Sequence, residues 1–338
     1  MHSNESGKRF IHKHFSHIYI ERQAFEYPDT ELVLSRFPHA VRITINNYKE
    51  VFNRPNQRFQ LQKSSMKLIL AVKKDRFLYE GSEQVQNFDH SHVYYNSLIL
   101  NCLYNCDYCY LQGMYPSGNI VVFVNHEDFV AATKEKLRSN PMYLCISYDT
   151  DLLAFENIVP FCSRWIKLAS EEPDITIEIR TKSANYKSIS HLKPVNNIIL
   201  AWTVSPQPVI ESYEKDTPSL QSRLNAIGAA INDGWKVRLC FDPVIRTERW
   251  REDYTQCIEI VMRTLPAHQL HDISVGVFRM NSNYLQRIQR QRTDTPILYY
   301  PFATVTKTST YPAAEREEMI QFILRSLQPH ISNEKIFL

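Results

Sequence analysis

Residues 142–149 read MYLCISYD and residues 175–182 read ITIEIRTK, and the alternation inside these two stretches decides the fold. Successive side chains of a strand point to opposite faces. Met142, Leu144, Ile146 and Tyr148 therefore share one side of the first stretch, while Tyr143, Cys145, Ser147 and Asp149 share the other. In the second, Ile175, Ile177 and Ile179 oppose Thr176, Glu178, Arg180 and Lys182. A polar face on an otherwise buried parallel strand predicts a lumen that holds a cofactor.

Working outward, strands are expected at 93–100, 142–148, 174–181, 196–204, 236–242 and 271–278. Helix-like stretches lie near 126–138, 152–170, 185–192, 217–233, 251–264 and 314–328. Such alternation argues for parallel strands joined by helical crossovers. The expected fold class is α/β, a partial (β/α)6 barrel of the TIM type, with its site at the C-terminal ends of the strands. Residues 1–90 form a smaller N-terminal α/β region, with a helix from Thr30 to Phe37 and a strand from Met66 to Lys73. Residues 91–280 hold the barrel, and 281–338 a hairpin and helix.

The 338 residues suffice for an enzyme core plus a smaller partner region. Hydrophobic residues at 43% and charged residues at 22% are ordinary globular values, and 7 glycines leave no room for a Gly-rich phosphate loop. A net charge of +3 means that any nucleic-acid footprint is local. No run of about 18 apolar residues is present to span a bilayer. The N-terminal MHSNESGKRFIHKHF lacks the apolar stretch of a secretory signal. A cytoplasmic protein with no membrane partner is expected.

Three of the seven cysteines stand within eight residues, as Cys102, Cys106 and Cys109, directly after YYNSLIL. In a reducing compartment such crowding points to metal rather than disulfides. Thiolates suit iron–sulfur clusters or zinc. Structural zinc and electron-transfer clusters usually want four ligands, whereas three on a cubane leave one iron open. On the residues alone, a zinc site completed by a distant Cys or His remains the alternative.

The Cys-x3-Cys-x2-Cys loop after the first strand of a β/α series resembles the radical S-adenosylmethionine superfamily. The fuller CLYNCDYCYLQ looks like its spore photoproduct lyase branch. IYIERQAFEYP, SSMKLILAVKK, CISYDTD, TKSANYKSI, GWKVRLCFDPVI with WREDY, HDISVGVF and NEKIFL follow in the order of that family. The resemblance implies a lyase that reverts the spore photoproduct, a covalent thymine dimer, to two thymines. It implies a 4Fe-4S cluster on Cys102, Cys106 and Cys109 and S-adenosylmethionine on the open iron. A 5′-deoxyadenosyl radical takes a hydrogen from the lesion, and a cysteine returns one to the product. Implied partners are damaged DNA and an external one-electron reductant of the flavodoxin or ferredoxin type; a monomer is expected.

Carried over residue by residue, Cys145 matches the hydrogen-donating cysteine, and its place on the polar strand face agrees. Tyr108 and Tyr110 match the tyrosines that flank the last ligand, one touching the cofactor and one relaying a hydrogen atom. Ser147 and Lys182 match contacts to the methionyl end, where an ammonium can meet a carboxylate. Thr203 and Ser205 are candidates for the ribose hydroxyls. Cys162, Cys240 and Cys257 read as packing. For DNA, Arg287, Arg290, Arg292 and Lys307 are candidates for phosphate contacts, as are Arg246, Arg249 and Arg251. Tyr299 and Tyr300 either stack on an exposed base or pack a hairpin.

This chain departs from the family in its C-terminal hairpin, YYPFATVTKTSTYP. Phe302 and Ala303 stand where an Arg-Tyr pair is expected, and the interleaved glycines are missing. That keeps open a radical enzyme acting on another nucleic-acid lesion or a peptide. A zinc-stabilised nucleic-acid-binding module without catalysis is the reading from a different class.

Overall fold

In the computed structural model, which describes residues 15–81 and 86–338, the alternating isoleucines and valines are sealed from solvent. β-Branched side chains at alternate positions favour a pleated, buried strand. Strands Val93–Tyr95, Met142–Cys145, Ile175–Thr181, Ile198–Thr203, Lys236–Val244 and Asp272–Val277 lie parallel, side by side in that order. Ile336–Phe337 joins one edge in parallel and Tyr79–Glu80 the other edge antiparallel. The edge strands do not pair with each other, so this eight-stranded sheet is an open, partial barrel, as expected. Phe88, in the segment before Val93–Tyr95, reaches Phe337 from the opposite edge, with ring centroids 5.3 Å apart.

A second sheet runs in the order Val41–Ile45, His17–Glu21, Leu68–Ala71, Ile120–Phe123, Ile99–Leu100. It corrects the expected strand 93–100. The chain leaves the barrel after Tyr95, buries Asn96 and Ser97 between the sheets, and pairs Ile99–Leu100 antiparallel to Val121–Val122. Strand Ile120–Phe123 has no counterpart in the sequence reading, because a short apolar run without alternation carries no period. The stretch 152–170 divides into helices Leu152–Phe155 and Phe161–Glu171, with Pro160 between them. The stretch 185–192 holds only a 3-10 turn, Asn185–Ser188. Helix Leu220–Asn232 fills the stretch expected at 217–233, and a further helix, Gln207–Tyr213, precedes it. Residues 1–14, which bear most of the secretory-signal reading, lie outside the described residues. Among the described residues no helix is long and apolar enough to cross a membrane.

The polar strand faces meet inside the barrel. Glu178 stands in register with Cys145, and Arg238 with Asp272. Arg238 donates to Glu178 and to the Tyr143 hydroxyl, each at 2.6 Å, and forks onto both Asp272 oxygens. Its guanidinium lies 3.3 Å from the Phe88 ring centroid. Arg180 donates to Glu178 at 3.0 Å and reaches Asp242 at 3.4 Å, which Arg279 also holds. Each of these buried charges is thus paired, the condition under which they tolerate a dry interior.

Arg238→Leu leaves two buried carboxylates without their shared guanidinium and is expected to lower unfolding stability by about 3–5 kcal/mol, read from the urea midpoint. Burial pushes the Glu178 carboxyl up, but Arg180 and Arg238 outweigh it and hold it below its ordinary value. Such a group stabilises the fold above its unfolded pKa, about 4.3, and that contribution is lost as pH falls through the folded value. The gap between wild type and variant is therefore expected to narrow on acidification below about pH 4.

Candidate active site

The cysteine loop is held by its own backbone and by three neighbours. Asn101 takes a left-handed φ of 70° and donates 2.6 Å bonds to the carbonyls of Ser117 and Asn119, which turns the chain back on itself. Asn105–Cys106 pairs antiparallel with Lys215 and Glu214. Gln112 gathers the carbonyls of Cys106, Asp107 and Cys109 at 2.8, 3.1 and 3.3 Å. Two glycines let other segments close in. A Cβ on Gly113 would meet the Tyr284 carbonyl oxygen at 2.5 Å, and one on Gly118 the Phe59 carbonyl oxygen at 2.6 Å.

Cys102, Cys106 and Cys109 then line one small cavity with Phe59, Lys63 and Tyr104. None is in a disulfide. Burial pushes the Cys102 thiol up to about 12 and raises the other two, so as free thiols they keep their protons at neutral pH. A metal must displace those protons to bind. Among the described residues no three His, Cys, Asp or Glu side chains converge closely enough to hold a single ion. Three soft donors around a shared cavity fit a polynuclear cluster better than one zinc.

Lys182, just past strand Ile175–Thr181, brings its ammonium to the cysteine loop. Its ammonium lies 3.9 Å from the Cys106 sulfur, 2.7 Å from the Tyr108 hydroxyl and 3.0 Å from Glu214. The fully buried Glu214 carboxylate also accepts from Ser205 at 2.8 Å, from Tyr108 and from Arg223. Burial pushes this carboxyl up, yet Lys182 and Arg223 hold it far below the ordinary range. Thr203 contributes its carbonyl, which accepts from Arg223 at 3.1 Å. Tyr108, Lys182, Thr203 and Ser205 are thus brought together by two residues the sequence reading missed, Glu214 and Arg223. Arg223 did leave a signal: it interrupts the apolar face Leu220, Leu224, Ile227 and Ile231 of its helix.

Tyr110 donates to the Tyr148 carbonyl at 2.6 Å and lies 3.4 Å from Asp149, which Ser97 also engages. Ser147, between this pair and Cys145, has a buried hydroxyl with no partner. Cys145 is 8% exposed, and burial together with Glu178 pushes its thiol far up, so it stays a neutral S–H. Tyr148 stacks on Tyr95, with centroids 4.2 Å apart, and so links Tyr110 to the strand that pairs with Cys145.

The residues proposed for DNA scatter. Arg292 is buried and donates to Asp107 at 2.7 Å, Gln112 at 2.6 Å and Asn105 at 2.5 Å. It is a strut of the cysteine loop, which corrects its reading as a phosphate contact. Arg287 is exposed but donates to the Gly113 carbonyl at 3.1 Å, and Arg290 is exposed. Arg246 and Arg251 are committed to acids of helix Ala313–Leu327, while Arg249 is exposed. Tyr300 packs on Phe302 and Tyr311 and bonds Glu315. Tyr299 is exposed, with its hydroxyl on the carbonyls of Gln289 and Arg292. Lys307 sits at the exposed hairpin tip, where it and Thr306 both take positive φ in the absence of glycine.

Over residues 14–292 the chain matches the family model described as spore photoproduct lyase. The spore photoproduct lyase of Bacillus subtilis (strain 168) is 22% identical over 267 residues, which covers 76% of this chain and 75% of that one. That of Geobacillus sp. (strain Y412MC61) is 22% identical over 270 residues, with 76% of each covered. A solved mutant spore photoproduct lyase with bound AdoMet and dinucleoside spore photoproduct superposes with a TM-score of 0.80 at 17% identity, covering 96% of this chain and 97% of that one. A spore photoproduct lyase complexed with dinucleoside spore photoproduct gives 0.79 at 17% identity with the same coverage. These superpositions establish the shared fold.

Alanine at Cys102, Cys106 or Cys109 is expected to abolish iron uptake on anaerobic reconstitution, whereas C162A and C257A keep it. Iron and sulfide analysis with the visible absorbance checks this.

Proposed function

Because the chain belongs to the spore photoproduct lyase family, we propose that it reverts the spore photoproduct in DNA to two thymines with a 4Fe-4S cluster and S-adenosylmethionine. The observation that carries this reading is the family match through both the cysteine loop and Cys145, two sites that serve one reaction. When bound, the cluster and S-adenosylmethionine supply the carbon radical that takes a hydrogen from the lesion.

The protein's own residues do the rest. Cys102, Cys106 and Cys109 hold the cluster and leave one iron open. Lys182 offers an ammonium to the cofactor's carboxylate, and the unpartnered Ser147 hydroxyl offers a further bond to its methionyl end. Thr203 and Ser205, at and just past the end of strand Ile198–Thr203, are the candidates for the ribose hydroxyls. Burial keeps Cys145 protonated, so it can give a hydrogen atom rather than act as a thiolate nucleophile. The Tyr110 hydroxyl, fixed on the Tyr148 carbonyl, relays the hydrogen onward. Tyr108 is held by Glu214 and Lys182 against the last ligand.

Since Tyr79–Glu80 and Ile336–Phe337 join the barrel sheet while Ile99–Leu100 and Ile120–Phe123 join the N-terminal sheet, the division of the chain is a functional one: an N-terminal α/β region to residue 90, a radical barrel over 91–280 and a segment 281–338 that meets DNA. Lys307, Arg287, Arg290 and the exposed face of Tyr299 are its contacts. A flavodoxin or ferredoxin supplies the electron to a monomeric, cytoplasmic enzyme. A second reading, an altered lesion, draws on the hairpin: Phe302, where the family has an arginine, is half-buried and stacks on Phe278 with centroids 4.9 Å apart.

The test is an anaerobic reaction of reconstituted protein with S-adenosylmethionine, dithionite and an oligonucleotide bearing the spore photoproduct. Restored thymines are expected. Cofactor cleavage without repair would favour the altered lesion. C145A is expected to cleave the cofactor at the wild-type rate while most lesion radicals end as abortive products; normal repair by C145A would remove its assigned role.

A further inference from the structure

Lys63, on the short helix Phe59–Lys63, is only 7% exposed and lines the cavity of the three cysteines. Its ammonium donates to the Cys102 carbonyl, lies 3.6 Å from the Met66 sulfur and sits 6.0 Å from the Phe59 ring centroid. Among the described residues no carboxylate pairs with it. Asp216 is exposed and forms no ion pair with it. Two further ammoniums beside the loop differ in having counter-ions, Lys182 in Glu214 and Lys215 in Asp107.

A buried ammonium with no anion is costly and ordinarily loses its proton or gains a partner. Of the described residues that line this cavity, the three cysteines are the ones that can become a dense negative charge. Three thiolates outweigh the positive charge of an oxidised cubane core, and one-electron reduction adds a further negative charge. Nearby charge and hydrogen bonding set the potential of such clusters.

Resting on the reading that the loop carries an iron–sulfur cluster, we propose that Lys63 is the buried counter-charge of that cluster and raises its reduction potential. It is a positioning and tuning residue: it touches the loop, not the substrate. The ammonium favours the reduced, more negative state, so it makes the cluster easier for a one-electron donor to reduce.

The experiment compares full-length wild type, K63Q and K63R after anaerobic reconstitution. It measures iron and sulfide content and then titrates the reduction with dithionite and mediators, followed by electron paramagnetic resonance. Both variants keep an N–H donor for the Cys102 carbonyl, but only K63R keeps the charge. K63Q is expected to be about tenfold harder to reduce, equal to about 59 mV for a one-electron couple. K63R is expected to match wild type. A fully loaded K63Q with the wild-type potential would overturn the assignment. If K63Q fails to assemble a cluster while K63R succeeds, the counter-charge role stands, because charge alone separates them. Failure of both variants would leave a purely steric role and overturn it. Wild-type protein that takes up no iron would remove this assignment together with the reading beneath it.

Discussion

The Glu214 carboxylate has no solvent contact and lies within bonding distance of two cations and two hydroxyls. A lone carboxylate in that position would be too costly to keep charged, so its neighbours must stay where they are. Those neighbours come from four separate segments: Tyr108 of the cysteine loop, Lys182 at a strand end, Ser205 after the next strand, and Arg223 of helix Leu220–Asn232. The backbone of Glu214 also pairs with that of Cys106. The position of the loop and the charge balance at the barrel mouth are therefore a single constraint. Moving the loop would unpair an acid, and removing the acid would release the loop.

The same rule shapes the barrel interior. Arg238, Glu178, Asp272, Arg180 and Asp242 form a chain of pairs across neighbouring strands, and parallel register is what sets each beside its partner. Burial beside Phe88, Tyr143 and Ile199, with Glu178 close by, keeps the Cys145 thiol protonated against the pull of Arg180 and Arg238. The rule is relaxed at scattered points: Asn101, Ser147 and Thr150 carry a buried polar atom with no partner among the described residues, and so do Asn96, His126, Trp165, Trp235, Thr247 and Ser274. Unmet polar atoms are uncommon in folded interiors.

The strut formed by Arg292 shows how charge can mislead when sequence is read in one dimension. LQRIQRQR has the composition of a basic patch, yet one of its arginines turns inward to Asp107 while Arg287 and Arg290 stay outside. Arg287 and Arg290, three residues apart, fall on one face, whereas Arg292 lies beyond the end of helix Ser282–Gln289, where only the neighbouring loop decides that it turns inward. Likewise Tyr299 and Tyr300 are adjacent in sequence, and one is exposed while the other bonds an acid of the last helix.

By itself, the sequence determined what depends on local spacing. The cysteine interval put three soft ligands on one loop, and the period-two alternation of MYLCISYD and ITIEIRTK put Cys145 and Glu178 on the lumen face. The alternation of strands and helices yielded a parallel partial barrel. Tertiary structure alone decided what depends on distant partners. Strand Ile120–Phe123, the crossing of residues 96–97 between two sheets, and the burial of Lys63, Glu214, Arg223 and Arg292 leave little local pattern, Arg223 on its helix face excepted. A charged side chain in a sequence is by default a solvated one, since the energy that permits its burial is supplied by an opposite charge or a ligand elsewhere in the fold. That partner's location exists only once the chain has folded.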